Sequence, residues 1–145
     1  TLIDQYKQEW HNQLQISNKG RIYSNIKEIH GIEMYFTALE SKEHLNIFKF
    51  RTANHLLPVE TGLYDGTPFN DRKCPLCDSG EVGTETHYLL HCHYFRLERQ
   101  ELLDLNALNI RPHISMNTYL SNDTPVQLMK KVSKFVGIIM RKFTR

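Results

Sequence analysis

Apolar residues recur along much of this chain at three- and four-residue intervals, the period of a helix with one face turned inward. Leu2, Ile3, Tyr6, Trp10 and Leu14, with charged and amide residues between them, predict an amphipathic helix over 2–16, ended by Asn18-Lys19-Gly20. Residues 21–26 fit either a short strand or the start of another helix, and 33–39 fit two helical turns. Ser41 is a good N-cap for a helix over 42–56, with Leu45, Phe48, Thr52 and Leu56 in one stripe that Ile47 and Phe50 widen. Pro58 stops that helix, and its neighbour Leu57 is pushed to an extended conformation. The stretch 58–73 carries Pro58, Gly62, Gly66 and Pro68 and reads as a loop. Phe95, Leu97, Leu102, Leu103 and Leu105 predict a helix over 93–105, followed by an irregular stretch around Pro112. The last helix is the most regular: Thr124 stands at the N-cap, Pro125 at the first helical position, and Met129, Val132, Val136, Ile139 and Phe143 follow at helical spacing.

Between the predicted helices lies the chain's densest chemistry. Its three cysteines all fall in one stretch, Cys74-Pro-Leu-Cys77, then His87, then Cys92, with the spacing C-x2-C-x9-H-x4-C. Zinc takes thiolate and imidazole ligands four at a time in structural sites, and this set supplies four. An odd number of cysteines leaves a disulfide framework incomplete. A redox C-x-x-C pair belongs at a strand-to-helix junction, whereas Asn70-Asp71-Arg72-Lys73 before Cys74 is a polar loop. Nothing in the sequence marks a third group that would orient a cysteine–histidine pair for nucleophilic catalysis. The fourth ligand has two candidates. On a helix His87 shares a face with His91, while a His87–Cys92 pair requires the helix to end near Cys92. Cys92 is the stronger choice, since a free thiol beside zinc would compete for the metal; His91 in its place is the alternative.

The connecting loop suits such a site. Gly80 and Gly83 permit positive φ where the chain turns back, and Thr84 can cap a helix that begins at Glu85. So small a lobe is expected to have almost no apolar core, with metal binding supplying most of its local folding energy. The fold class expected is mainly α: a helical domain with a small zinc-knuckle lobe. Its parts are a helical segment over 1–57, the knuckle lobe over 58–95 and C-terminal helices over 96–145 that join the first segment.

Composition narrows the function. At 145 residues and 40% hydrophobic, the chain can bury a core of its own. A net charge of +2 is mildly basic, not that of a cationic nucleic-acid coat. No apolar run is long enough to span a membrane, and no signal peptide opens the chain. Cysteines kept as reduced ligands imply an intracellular, nuclear or cytoplasmic protein. A start at Thr1 fits a piece of something longer.

The cations are unevenly placed. Lys130, Lys131, Lys134, Arg141, Lys142 and Arg145 follow Pro125 with no acidic residue among them, and Lys49, Arg51, Arg72, Lys73, Arg96 and Arg99 flank the knuckle. Such residues form either a solvated face or a phosphate-binding surface. Tyr88, Tyr94 and Phe95, interleaved with them, could stack on bases, but for Tyr88 and Phe95 packing against the zinc lobe is the stronger expectation.

These segments together resemble the zinc-binding region downstream of the polymerase in non-LTR retrotransposon reverse transcriptases. The similarity runs through Phe50-Arg51-Thr52-Ala53-Asn54-His55-Leu56-Leu57-Pro58-Val59-Glu60-Thr61-Gly62, then Arg72-Lys73-Cys74-Pro75-Leu76-Cys77, Glu85-Thr86-His87-Tyr88-Leu89-Leu90-His91-Cys92 and Tyr94-Phe95-Arg96-x-x-Arg99. Its most specific part is R-x3-H-x-L followed by C-x2-C, E-x-H-Y-L-L-x-C and R-x2-R. The resemblance covers about residues 45–100 and implies that Cys74, Cys77, His87 and Cys92 are the zinc ligands, with RNA or DNA held by the cations around them. The chain departs from the family in carrying no Y-x-D-D polymerase motif and no convincing nuclease cluster; Asp65, Asp71 and Lys73 are only a faint D…D-x-K. The expectation is a zinc-dependent nucleic-acid-binding module without catalysis, small-molecule substrate or membrane contact. The alternative is a protein-interaction module with a purely structural zinc, using the apolar stripe of the last helix.

Overall fold

A computed structural model describes residues 1–16, 39–103, 119–120 and 124–144. The expectations for 21–26, for nearly all of 33–39, for Leu105 and for the stretch around Pro112 lie outside the described residues. The elements are α1 (Leu2–Ile16), α2 (Ser41–Arg51), α3 (Pro58–Tyr64), a 3-10 turn at Phe69–Asp71, a π-helical turn at His87–His91, a second 3-10 turn at His93–Phe95, α4 (Arg96–Leu102) and α5 (Val126–Lys142). There is no strand among the described residues; a lone antiparallel bridge joins Lys73 to Val82.

α5 organises the core. Leu128, Met129, Val132, Phe135, Val136 and Ile139 are all buried, and the helix lies along α2 and against α4. Its apolar face is therefore filled from within the chain and is not an open partner surface. Ser133 donates its hydroxyl to the Glu43 carbonyl at 2.8 Å, and the Asn46 amide reaches the Ser133 carbonyl at 3.4 Å, so polar bonds also tie the two helices. The helix begins at Val126, one residue later than expected, with Pro125 in the cap position.

α2 is shorter than the pattern predicts, and a different edge is buried. Glu40, not Ser41, caps it, through a reciprocal box with Glu43. It stops at Arg51 because Ala53 turns left-handed at φ +56° and the Asn54 N–H closes back on the Lys49 carbonyl at 2.8 Å. Leu56 therefore never joins the helix. Leu45 and Phe48 stay 45% and 36% exposed, while Ile47 and Phe50 face α5.

The expected loop over 58–73 contains α3. Leu57 is extended, as its pre-proline position requires, but Pro58 stands at the first helical position. Its locked φ suits a helix start, so the residue that closes one helix opens the next. α4 begins only at Arg96, after the 3-10 turn, and leaves Leu97 exposed while Phe95 and Leu103 are buried. α1 forms over the predicted range, with Leu2, Ile3 and Tyr6 mostly exposed.

The knuckle is not a lobe without a core. Cys74, Tyr88, Leu89, Cys92 and Phe95 belong to the same buried cluster as Phe50, Phe135 and Val136. Tyr88 meets Phe95 and Phe143 edge-on or tilted, and Phe95 meets Phe135 at 6.2 Å between centroids. The sequence expectation for both aromatics is packing against the zinc lobe; Tyr88 does meet His87 at 5.0 Å between centroids, but the two rings also reach into the helical core.

Candidate metal centre

Cys74 lies next to the Lys73–Val82 bridge, whose backbone bonds from Cys74 N–H to the Glu81 carbonyl and from Gly83 N–H to the Arg72 carbonyl are both 2.9 Å. Gly80, at φ +73°, turns the chain back, as expected of it. Gly83 serves otherwise: it has no positive φ, and an added Cβ would stand 2.7 Å from Pro58 Cγ and 2.9 Å from the Tyr88 hydroxyl. Its lack of a side chain allows close approach, not an unusual turn. Thr84 caps the next turn, its Oγ accepting the His87 N–H at 3.1 Å.

The π-helical turn brings Cys92, and not His91, into the cluster. On an α-helix, residues five apart stand about 140° apart around the axis. Here the Cys92 N–H reaches the His87 carbonyl at 2.7 Å, an i to i−5 bond that widens the turn. Cys92 then leaves the turn with extended backbone. His87 and Cys92 consequently face one point, Cys92 is buried, and His91 is exposed.

The donor atoms of Cys74, Cys77, His87 and Cys92 all lie within 4.8 Å of one another. Cys74 Sγ is 3.9 Å from Cys92 Sγ, and Cys77 Sγ is 3.4 Å from His87 Nε2. A tetrahedral ion with metal–sulfur bonds of about 2.3 Å separates its sulfur ligands by about 3.8 Å. The set thus fits one metal ion. The histidine is oriented for the task as well. Its Nδ1 lies 2.7 Å from Glu81 Oε2, so Nδ1–H donates to the carboxylate and the Nε2 lone pair faces the sulfurs.

The thiols differ in environment. Burial pushes the Cys92 thiol up to about 12. At Cys77 burial acts in the same direction, but hydrogen bonds led by Ser79 outweigh it and hold the thiol below its ordinary range; the Ser79 hydroxyl is 3.1 Å from the sulfur. A cation among these sulfurs would favour thiolates at all three. Burial, and after it the Cys74 sulfur, keeps the neighbouring Tyr88 hydroxyl neutral.

Two sets of interactions position the ligand turn, and Arg72 fixes the segment that leads into Cys74. His55 Nε2 and Glu85 Oε1 are 2.8 Å apart, deep inside, and Leu57 N–H donates to His55 Nδ1 at 3.3 Å. The Arg99 guanidinium donates to the Leu89, Tyr88 and Cys92 carbonyls at 2.8, 2.8 and 3.1 Å, with Phe135 beneath it. Arg72 donates to the Thr67 and Val59 carbonyls at 2.8 and 3.0 Å, and an added Cβ at Gly62 would overlap its stem. Glu81, Glu85, His55 and these arginine contacts were missed as site features by sequence reasoning. Spacing alone does not reveal pairs that the fold assembles.

The expected phosphate-contact residues therefore divide. Lys49, Lys73, Arg96, Lys130, Lys131 and Lys134 are exposed. Lys73 also reaches the Gly80 carbonyl at 2.9 Å. Arg51 is only 1% exposed, and Arg72 and Arg99 bond the protein's own carbonyls, so these three leave the set.

Comparisons with family models, curated proteins and solved structures found no match to this chain. No helix among the described residues is long and apolar enough to cross a membrane.

Proposed function

We propose that the chain is a zinc-dependent nucleic-acid-binding module without catalysis of its own, akin to the post-polymerase region of non-LTR retroelement reverse transcriptases. The observation that carries the reading is a Cys3His set in a chain that also exposes cations on α2, α4 and α5. Zinc is the metal that best suits the set: it favours thiolate and imidazole, accepts a tetrahedral site, and with four protein ligands is structural. Cys74, Cys77, His87 and Cys92 would hold it, with Glu81 fixing the His87 tautomer. Bound there, zinc ties the loop to the core through Cys74 and Cys92. Lys49, Lys73, Arg96, Lys130, Lys131 and Lys134 would meet phosphates, giving affinity with little sequence preference. Reduced thiolate ligands suit an intracellular setting, nuclear or cytoplasmic.

The test pairs elemental analysis with gel-shift titrations of RNA and DNA at two salt concentrations. One equivalent of zinc and strongly salt-weakened binding are expected; affinity indifferent to salt would sink the nucleic-acid reading. A second reading, a protein-interaction module, draws on the exposed Leu2, Ile3 and Tyr6 of α1. It predicts that Leu2→Ser with Ile3→Ser abolishes partner capture while leaving nucleic-acid titrations unchanged.

A further inference from the structure

A second site lies between α2 and α5. The two helices, with Leu102 of α4 at one side, enclose an open cleft of about 570 Å³. Five cations line it: Lys42 from the first turn of α2, and Lys130, Lys131, Lys134 and Arg141 from α5, all exposed to solvent. The one carboxylate among the described lining residues, Glu43, is engaged by the Glu40 N–H at 3.2 Å in the cap of α2. No acidic residue occurs from 125 to 144. The cleft therefore concentrates uncompensated positive charge.

Its shape is set by the packing. Gly137 lets α2 approach α5: an added Cβ there would stand 2.8 Å from Asn46 Nδ2 and 3.3 Å from Arg141 Nη1. Arg141 is thus folded back over the glycine toward α2. Lys130, Lys134 and Arg141 follow one another at i, i+4 and i+11, so they run along about 16 Å of helix axis. A track of that length matches several successive anionic groups, not one isolated ion. No aromatic side chain is among the described residues that line it. The cleft can grip phosphates and offers no ring on which a base could stack.

We propose that this cleft is the track for the phosphodiester backbone of a bound nucleic acid, with Lys42 and Arg141 as its two ends. The proposal rests on the nucleic-acid reading above and moves the principal contact away from the cations beside the metal. Binding through it is independent of base sequence and carries much of the salt dependence.

The experiment uses the full zinc-loaded chain and a short fluorescent single-stranded oligonucleotide, read by anisotropy across a salt series. The doubles are Lys42→Gln with Arg141→Gln, in the cleft, and Lys49→Gln with Arg96→Gln, outside it. Zinc content and thermal melting confirm that each variant stays folded. The cleft double is expected to weaken binding on the order of tenfold at about 0.15 M salt and to lower the log–log salt slope by about 1.4. The outer double, which removes two of the lesser phosphate contacts, is expected to weaken binding by a smaller factor, about threefold. Wild-type binding that the cleft double leaves untouched, or that both doubles weaken alike, overturns the track and spares the nucleic-acid reading. Absence of salt-dependent wild-type binding overturns both. Equal affinity of the wild type for polyglutamate reassigns the cleft to an acidic protein segment and overturns the proposal.

Discussion

His55 donates through Nε2 to Glu85 Oε1 at 2.8 Å, with side-chain exposures of 0% and 2%. The Leu57 N–H at Nδ1 sets the tautomer, because a nitrogen that accepts cannot also carry the proton. One partner follows the end of α2; the other begins the turn that presents His87. The bond thus locks the helical core to the metal-ligand segment across thirty residues of sequence.

His55→Ala would leave a buried carboxylate without this donor. A loss of about 3 kcal/mol in unfolding free energy is expected, measured by denaturant titration of the zinc-loaded protein. Glu85→Gln keeps an acceptor at the same place and is expected to cost about 1 kcal/mol. A negligible cost for Glu85→Gln would show that charge is immaterial to the bond, and a cost equal to that of His55→Ala would show that the bond depends on it.

Single replacements separate the two ligand sets. Cys74→Ser, Cys77→Ser, His87→Ala and Cys92→Ser should each reduce retained zinc well below one equivalent, while His91→Ala retains it. Protons compete with the metal for thiolates and imidazole, so zinc affinity falls as pH falls. Exhaustive chelation should loosen the 72–95 segment, read as faster amide exchange there. A His91→Ala protein that loses its metal would overturn the ligand set.

Glu81→Gln keeps a hydrogen-bond acceptor for His87 Nδ1–H but removes the charge that raises ligand basicity. Metal affinity is expected to fall by about tenfold, approaching a hundredfold for Glu81→Ala, measured by competition with a calibrated chelator. Glu81 is exposed and outside the core, so folding of the loaded protein should be little changed.

Arg99→Ala removes three bonds to carbonyls of the ligand turn. Destabilisation of about 2–3 kcal/mol is expected, and Arg99→Lys should recover little of it, since a point charge cannot fork between carbonyls. In the salt series the charge-removing Arg99→Gln, read at a temperature where it stays folded, should leave the slope of nucleic-acid binding unchanged. A lower slope would return Arg99 to the phosphate contacts.

Much of this protein is readable from local pattern. Helical spacing marks α1 and α5 to within about a residue, since one apolar face every three to four residues needs no knowledge of the partner. The four metal-ligand candidates are legible because cysteine and histidine at short spacing have few other uses. α3 was hidden because Pro58 can both close and open a helix. The buried edge of α2 was misread because only the position of α5 selects Ile47 and Phe50 over Leu45 and Phe48.

The amino-acid order alone therefore determined a mainly helical chain and the atoms available to a metal. Tertiary structure alone decided which histidine or cysteine completes the set, through one widened turn at His87–His91. It also decided which cations remain outside: Arg51, Arg72 and Arg99 are identical in kind to Arg96 and Arg141, yet burial and nearby carbonyls claim the first three. Local chemistry is written in residue type and spacing, whereas solvent access and long-range partners exist only once distant segments have packed.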